Sequence, residues 1–184
     1  MNPLVRAKAG APVTIETARL VLRPPSADDF ADLLALWTDP VTLAFLGRAS
    51  TPAEAWARML KYAGHWSLFG FGYWMLREAG TGRFVGEGGL AHQKRDGIDG
   101  GDPEAGWALV GSAQGKGYGQ EALAAILAWG DTCLPSPRTL CLIDRANHAS
   151  IRLAERNGYR ASGEATLNEA PVVLFERMRV GLAG

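Results

Sequence analysis

Apolar and polar positions first alternate over residues 17–23 (TARLVLR), where Ala18, Leu20 and Leu22 share one side and predict a strand. Pro24 and Pro25 end it, and Ser26 with Asp29 has the spelling of a helix cap. The period then changes: Phe30, Leu33, Leu34 and Trp37 recur at helical spacing until Asp39-Pro40 stops the run. Thr51, Pro52 and Glu54 open a second helix with Trp56, Met59, Leu60 and Ala63 as its apolar stripe. After a turn at 70–72, residues 73–78 and 83–90 read as an antiparallel hairpin around Gly80-Thr81-Gly82. A polar, glycine-rich loop covers 92–103. Residues 104–110 (EAGWALV) predict a buried strand, 120–133 a helix burying Leu123, Ile126 and Leu127, and 139–143 (TLCLI) a short apolar strand. A strand–helix–strand crossover implies that these two strands pair in parallel. A short helix over 147–157 is stopped by Gly158, and 159–165 with 172–180 reads as a closing hairpin.

The predicted class is a mixed α/β sheet, mostly antiparallel, with a central parallel strand pair and helices on both faces. It forms one domain over 14–180 behind a flexible N-terminal segment, 1–13. A chain of 184 residues with 47% hydrophobic and 21% charged content suits a single soluble globule. Its formal net charge of zero speaks against nucleic acid or an anionic membrane as partner. No apolar run approaches the ~18 residues of a membrane span, and the start lacks a secretory apolar region, so a cytoplasmic location is expected. Cys133 and Cys141 fit neither a metal spacing nor a disulfide framework and are expected as buried thiols; no metal site is expected. A homodimer is left open.

The densest chemical signal is Gln114-Gly115-Lys116-Gly117-Tyr118-Gly119, placed between the 104–110 strand and the 120–133 helix. Its glycines let main-chain N–H groups point inward, and the unpaired N–H groups of the helix start face the same spot. That is a cradle for a phosphate chain. A P-loop is excluded: Gly111 to Gly115 is one residue short, and Gly117 stands where the magnesium-binding hydroxyl belongs. The dinucleotide fingerprint fits Gly117, Gly119 and Ala122. However, a six-residue loop separates the strand from Gly117, and too little chain follows Asp144 for the remaining strand–helix units. The third spelling, [QR]-x-x-G-x-[GA], is met by Gln114, Gly117 and Gly119.

That spelling resembles the acetyl-CoA pyrophosphate loop of the GNAT N-acetyltransferases. Further pieces stand in the family's order: TARLVLRP, GYWMLREAGTGRFVGEGGL, EAGWALVGSAQGKGYGQEAL and NHASIRLAERNGY. They are most similar to the branch of Rim-type ribosomal-protein alanine acetyltransferases, over nearly the whole chain. The resemblance implies the GNAT fold, acetyl-CoA as cosubstrate and transfer of its acetyl group to a primary amine. The acceptor is a protein N-terminus or a small-molecule amine.

Such a transfer needs a base, because amines of pKa ~8–10.4 are protonated at neutral pH. Glu104 is the favoured carboxylate: on its strand Glu104, Gly106, Ala108 and Val110 point to one side, leaving room beside the carboxylate. Glu87 competes from the neighbouring strand, although it reads better as a charge on that strand's solvated side. His92 could relay a proton but reads as a surface-loop histidine. By resemblance, main-chain N–H at Leu109 or Val110 receives the thioester oxygen. Asn147 is expected to meet the pantetheine arm, to cap the helix or to do both, Lys116 to offer a charge to the pyrophosphate, and Arg152 and Arg156 either to reach the outer phosphate or to stay solvated. Many family members place a tyrosine acid in the 147–157 helix; here the matching position is Ala154, leaving Ser150 as the hydroxyl. Neither cysteine carries an activation cue, which favours direct attack in a ternary complex. The alternative is an inactive module that binds acyl-CoA as a sensor. Acceptor selection is expected from the two early helices, the 40–50 connection and the 92–103 loop, with Trp37, Phe45, Trp56, Trp66, Phe69 and Phe71 crowding that region.

Overall fold

The computed structural model describes residues 6–11, 13–95, 101–167 and 170–179. Among these, the chain begins with β1 (Ile15–Glu16) and β2 (Leu20–Arg23), then a single 3-10 turn at Ala27–Asp29. Three helices follow: α1 (Phe30–Leu36), α2 (Pro40–Leu43) and α3 (Pro52–Phe69). Strands β3 (Tyr73–Glu78), β4 (Phe84–Ala91) and β5 (Glu104–Leu109) lead into α4 (Tyr118–Cys133), β6 (Arg138–Asp144) and α5 (His148–Arg156). Strands β7 (Arg160–Leu167) and β8 (Ala170–Met178) close the chain.

All eight strands form one sheet in the order β1-β2-β3-β4-β5-β6-β8-β7. Every neighbouring pair is antiparallel except β5 with β6, the expected parallel pair. The helices begin where the sequence has start signals. Thr51 and Glu54 form a reciprocal capping box on α3 with Pro52 in its first turn, and Gly70, at φ 73°, ends it. The sequence does not predict α2; Asp39 caps it, with Pro40 at its first position.

The sheet is covered on both faces. Leu33 of α1 and Met59 and Tyr62 of α3 pack on Tyr73, Met75 and Ala91. On the opposite face α4 buries Leu123, Ile126 and Leu127 in the larger core with Trp74, Leu90 and Ala105. Ala154 of α5 and Tyr159 belong to the same core.

Residues 1–5 and 12 of the expected N-terminal segment lie outside the described residues. Within it, Ala7 N–H donates to Phe69 O and Lys8 N–H to Cys133 O, both at 2.9 Å, so this stretch is tied to the ends of α3 and α4. The last strand ends at Met178, and residue 180 of the expected strand lies outside the described residues.

Candidate active site

The parallel pair is where the sheet opens. Among the described residues β5 and β6 share one bridging position, Glu104 beside Leu140, with Leu140 N–H donating to Pro103 O at 3.0 Å. Beyond it the strands diverge. A cavity of about 610 Å³ fills the opening and runs on beneath α2 and α3. Its walls include Trp107 and Ala108 of β5, Cys141 and Ile143 of β6, Asn147 and Ser150 at the start of α5, and Arg58, Lys61 and Tyr62 of α3.

The register explains which main-chain groups face the gap. Val110 N–H donates to Val85 O at 3.1 Å, so that amide is engaged across the β4–β5 pair. Alternation along an antiparallel ladder then turns the N–H groups of Leu109 and Trp107 the other way, toward β6. Of the two amides expected for a thioester oxygen, Leu109 is therefore the one turned to the gap. The strand end is clamped. Leu109 O accepts from the Thr42 hydroxyl and from Gln114 Nε2, each at 3.0 Å, and Asp39 Oδ2 accepts from Gly111 N–H at 3.2 Å. The Thr42 hydroxyl, and then the N–H groups of Thr42, Gly111 and Val41, hold the Asp39 carboxyl below its ordinary range. The sequence reading passes over Asp39 and Thr42 because the residues they clamp lie some seventy positions away.

At the outer end of the gap, residues 114–119 wrap over the start of α4. Gly117 at φ 81° is its N-cap, and no side chain occupies the cap position. The N–H groups of Tyr118, Gly119 and Gln120 are thus left for an external acceptor. Gln114, Gly115, Lys116 and Gly117 are exposed. Lys116 presents its ammonium to solvent, while its carbonyl accepts from Arg19 Nη1 at 3.0 Å. Arg19 also pairs with Glu121 at 2.7 Å and lies over the Tyr118 ring. The Tyr118 hydroxyl donates to Glu78 at 2.5 Å, so its side chain turns away from the loop and only its main chain faces outward. Arg19 and Glu121 were not singled out from sequence.

The inner end carries two carboxylates on one sheet face. Glu87 lies opposite Ala108, and Glu104 opposite Ala91, in the same alternation as Gly89 opposite Gly106. The expectation that Glu87 is a solvated charge is corrected: it is 1% exposed, on the face covered by α1 and α3. Its Oε1 accepts from the Tyr62 hydroxyl at 2.7 Å and from Trp37 Nε1 at 3.2 Å, while Oε2 has no partner among the described residues. Burial pushes its pKa up, against the charge of Arg58 and the two hydrogen bonds. Glu104, also buried, is gripped by Arg95 through Nε–Oε2 at 2.9 Å and Nη2–Oε1 at 2.7 Å. Between the two carboxylates lies Tyr73, stacked on Tyr62 at 4.5 Å. Gly106 makes room for it, since a Cβ there would stand 1.9 Å from the Tyr73 hydroxyl.

Of the remaining expected residues, Asn147, Ser150 and Cys141 border the cavity, with Trp37 and Phe45, and the others lie away from it or at its rim. Asn147 Oδ1 accepts from Ser150 N–H at 3.0 Å and so caps α5, and Ser150 Oγ accepts from Trp107 Nε1 at 3.3 Å. Ala154 is fully buried in the core, and Arg152 and Arg156 are exposed. Cys141 touches the cavity, but burial, with Glu104 adding to it, raises its thiol pKa far above normal. Cys133 is buried too. His92 is not on the surface: it is buried among His65, Phe69 and Phe71. Of the six aromatics flagged, Trp37 and Phe45 line the cavity, whereas Phe71 is core and Trp56 is half-exposed against Phe30. Residues 96–100 of the 92–103 loop lie outside the described residues. No cluster of three or more metal-ligating side chains, and no helix long and apolar enough to cross a membrane, occurs among the described residues.

The profile of the acetyltransferase (GNAT) domain family matches residues 19–160, and the chain belongs to that family. A GNAT-family acetyltransferase from Bordetella pertussis is 33% identical, with a TM-score of 0.80 over 89% of this chain and 98% of the other. A ribosomal-protein-S5-alanine acetyltransferase from Vibrio fischeri shares the fold at 16% identity and a TM-score of 0.73, covering 92% of this chain and 98% of that one. The uncharacterized protein YkkB of Bacillus subtilis is 31% identical over 109 residues, 59% of this chain. The matched stretch spans 62% of that relative's length.

Proposed function

We propose that the protein moves the acetyl group of acetyl-CoA to a primary amine by direct attack in a ternary complex. One observation carries this reading: the gap where β5 and β6 part is lined by two buried carboxylates, and beyond it β5 leads into the exposed 114–119 turn at the uncapped start of α4. The pyrophosphate lies on the N–H groups of 114–119, with Lys116 adding a charge, and the pantetheine arm runs along β5 past Asn147. The thioester oxygen meets Leu109 N–H, which stabilises the negative charge that develops there on attack.

The amine nitrogen attacks the carbonyl carbon, the C–N bond forms, and the C–S bond breaks. The amine's proton goes to a carboxylate and the leaving sulfur takes one from solvent or from Ser150. Ser150 already accepts from Trp107, which leaves its own hydroxyl proton to donate. Glu87 is the better base of the two, having an unpartnered oxygen and a raised proton affinity. Glu104 would have to give up a charge-assisted hydrogen bond to Arg95 before taking a proton. It serves as base only when Arg95 lets go. The high Cys141 pKa favours direct attack over an acyl-enzyme.

Thiol release from acetyl-CoA in the presence of an amine panel tests the reading. Transfer that is lost in Glu87→Gln and retained in Glu104→Gln supports the division of roles; the reverse exchanges them. Tight acetyl-CoA binding without transfer to any amine makes the protein a sensor instead.

A further inference from the structure

Among the described residues, the acceptor end of the cavity carries one more cation than carboxylates. Three cationic side chains line it, Arg58, Lys61 and Arg95, against two carboxylates, Glu87 and Glu104. Arg95 and Glu104 neutralise each other. Lys61 Nζ donates to the neutral Gln93 amide at 2.8 Å, and among the described residues neither Lys61 nor Arg58 forms an ion pair. The guanidinium of Arg58 lies over the Trp37 ring, 3.5 Å from its centroid, which fixes the orientation of its plane. Its Nε is buried and has no partner among the described residues, and the same holds for Glu87 Oε2. Among the described residues the one other carboxylate lining the cavity, Asp144, is at the β6 end and accepts from Ala146 N–H.

The charge of Arg58 reaches Glu87, yet no hydrogen bond joins Arg58 Nε or Glu87 Oε2 to a partner among the described residues, so one buried donor and one buried acceptor stand unmatched in one wall. Buried polar groups without partners are costly, and their pairing is what a ligand supplies. We propose that the acceptor is a small amine carrying a carboxylate close to its nitrogen, an amino-acid-type zwitterion whose ammonium meets Glu87 and whose carboxylate meets Arg58 and Lys61. This rests on the acetyltransferase reading above and narrows its acceptor. A polyamine would bring further positive charge against Arg58 and Lys61. A peptide N-terminus would offer Arg58 a neutral amide in place of a carboxylate.

The experiment uses the full chain and begins with calorimetric titration of acetyl-CoA, which checks the cosubstrate site separately. Steady-state transfer is then measured to the common α-amino acids, β-alanine and γ-aminobutyrate, each beside its C-terminal amide. Spermidine and an alanine-initiated tripeptide complete the panel. At least one amino acid is expected to exceed its amide by ~10-fold or more in kcat/KM, the margin of a charge-assisted pair. Arg58→Met should erase that margin by raising KM for the amino acid far more than for the amide, whose smaller change reports the loss of the Arg58 charge beside Glu87, with acetyl-CoA affinity in place. A merely structural arginine would weaken both acceptors alike. The amino-acid-to-amide comparison on the unaltered protein stands even if the variant fails to fold. Preference for an amide, spermidine or the tripeptide overturns the proposal, as does acetyl-CoA binding with no transfer to any carboxylate-bearing amine. Absence of acetyl-CoA binding overturns the enzymatic reading instead.

Discussion

Replacing Glu87 by Gln separates a catalytic carboxylate from a structural one. The change keeps the side chain's volume and leaves an oxygen to accept from Tyr62 and Trp37, now at 2.7 and 3.2 Å from Oε1. What it removes is the proton acceptor and a buried charge. Loss of a general base costs ~10²–10⁴-fold, or about 2.7–5.4 kcal/mol of barrier at about 1.36 kcal/mol per tenfold. Stability should respond in another way. A carboxyl whose pKa rises on folding stabilises the native state below its unfolded pKa, and that contribution is lost as pH climbs through the folded pKa. Burial raises the Glu87 pKa. The native protein should therefore lose stability relative to the variant as pH rises from ~4.3, until Glu87 is fully ionised. The new amide's N–H group, unmatched where Oε2 stands, lowers the variant by about 1–3 kcal/mol at every pH, so the slope and not the offset is diagnostic. The assays are kcat/KM by thiol release across pH and chemical denaturation across the same range. The acidic limb of the wild-type rate profile should vanish in the variant. A variant within about threefold of wild type, with that limb intact, refutes the assignment of Glu87 as base.

Gly106→Ala puts a methyl group where the Tyr73 hydroxyl now stands, 1.9 Å from it. It should lower stability by about 1–3 kcal/mol in thermal melts and depress transfer, with Tyr73→Phe in the same chain recovering part of the loss. Arg19→Ala frees the Lys116 carbonyl and Glu121. It should raise KM for acetyl-CoA about fivefold, the worth of one hydrogen bond, with kcat nearly unchanged. His65 accepts from His92 N–H at 2.8 Å through Nε2, so its Nδ1 donates to Phe71 O. Burial is the main cause that lowers the His65 pKa, so its neutral form belongs to the fold. Stability should hold above pH ~6.5 and fall as pH drops below that toward the lowered folded value, and His65→Gln should flatten the fall in denaturation curves.

Local signals carried most of the architecture. Caps and prolines marked α3, alternation marked β2, the Gly80-Thr81-Gly82 turn marked the β3–β4 hairpin, and the 104–143 crossover fixed the parallel pair, because each is written in adjacent residues. The four-residue α2 was missed: Asp39-Pro40 reads equally well as the stop of one helix and the cap of the next. The 114–119 loop was legible because its chemistry is main-chain and its glycines are contiguous. Side-chain partnerships across the fold were not. Glu87 was read as solvated because the glycines around it hide which face is covered, and only α1 and α3 decide that. Arg19 on Lys116 and Thr42 on Leu109 join positions far apart in the chain, Arg95 reaches Glu104 across the 92–103 loop, and no periodicity encodes any of them. The hydrogen bond of the Tyr118 hydroxyl to Glu78, forty positions away, is hidden from sequence for the same reason.

The central claim is that the β5–β6 gap and the 114–119 loop hold one acyl-CoA with its acyl end toward the two carboxylates. A crystal structure of the protein with acetyl-CoA tests it most directly. The account predicts the pyrophosphate on the N–H groups at the start of α4, the thioester oxygen hydrogen-bonded to Leu109 N–H, and the acetyl carbon on the Glu87–Glu104 face. Acetyl-CoA bound elsewhere, or bound here with its acyl end turned from both carboxylates, would contradict it.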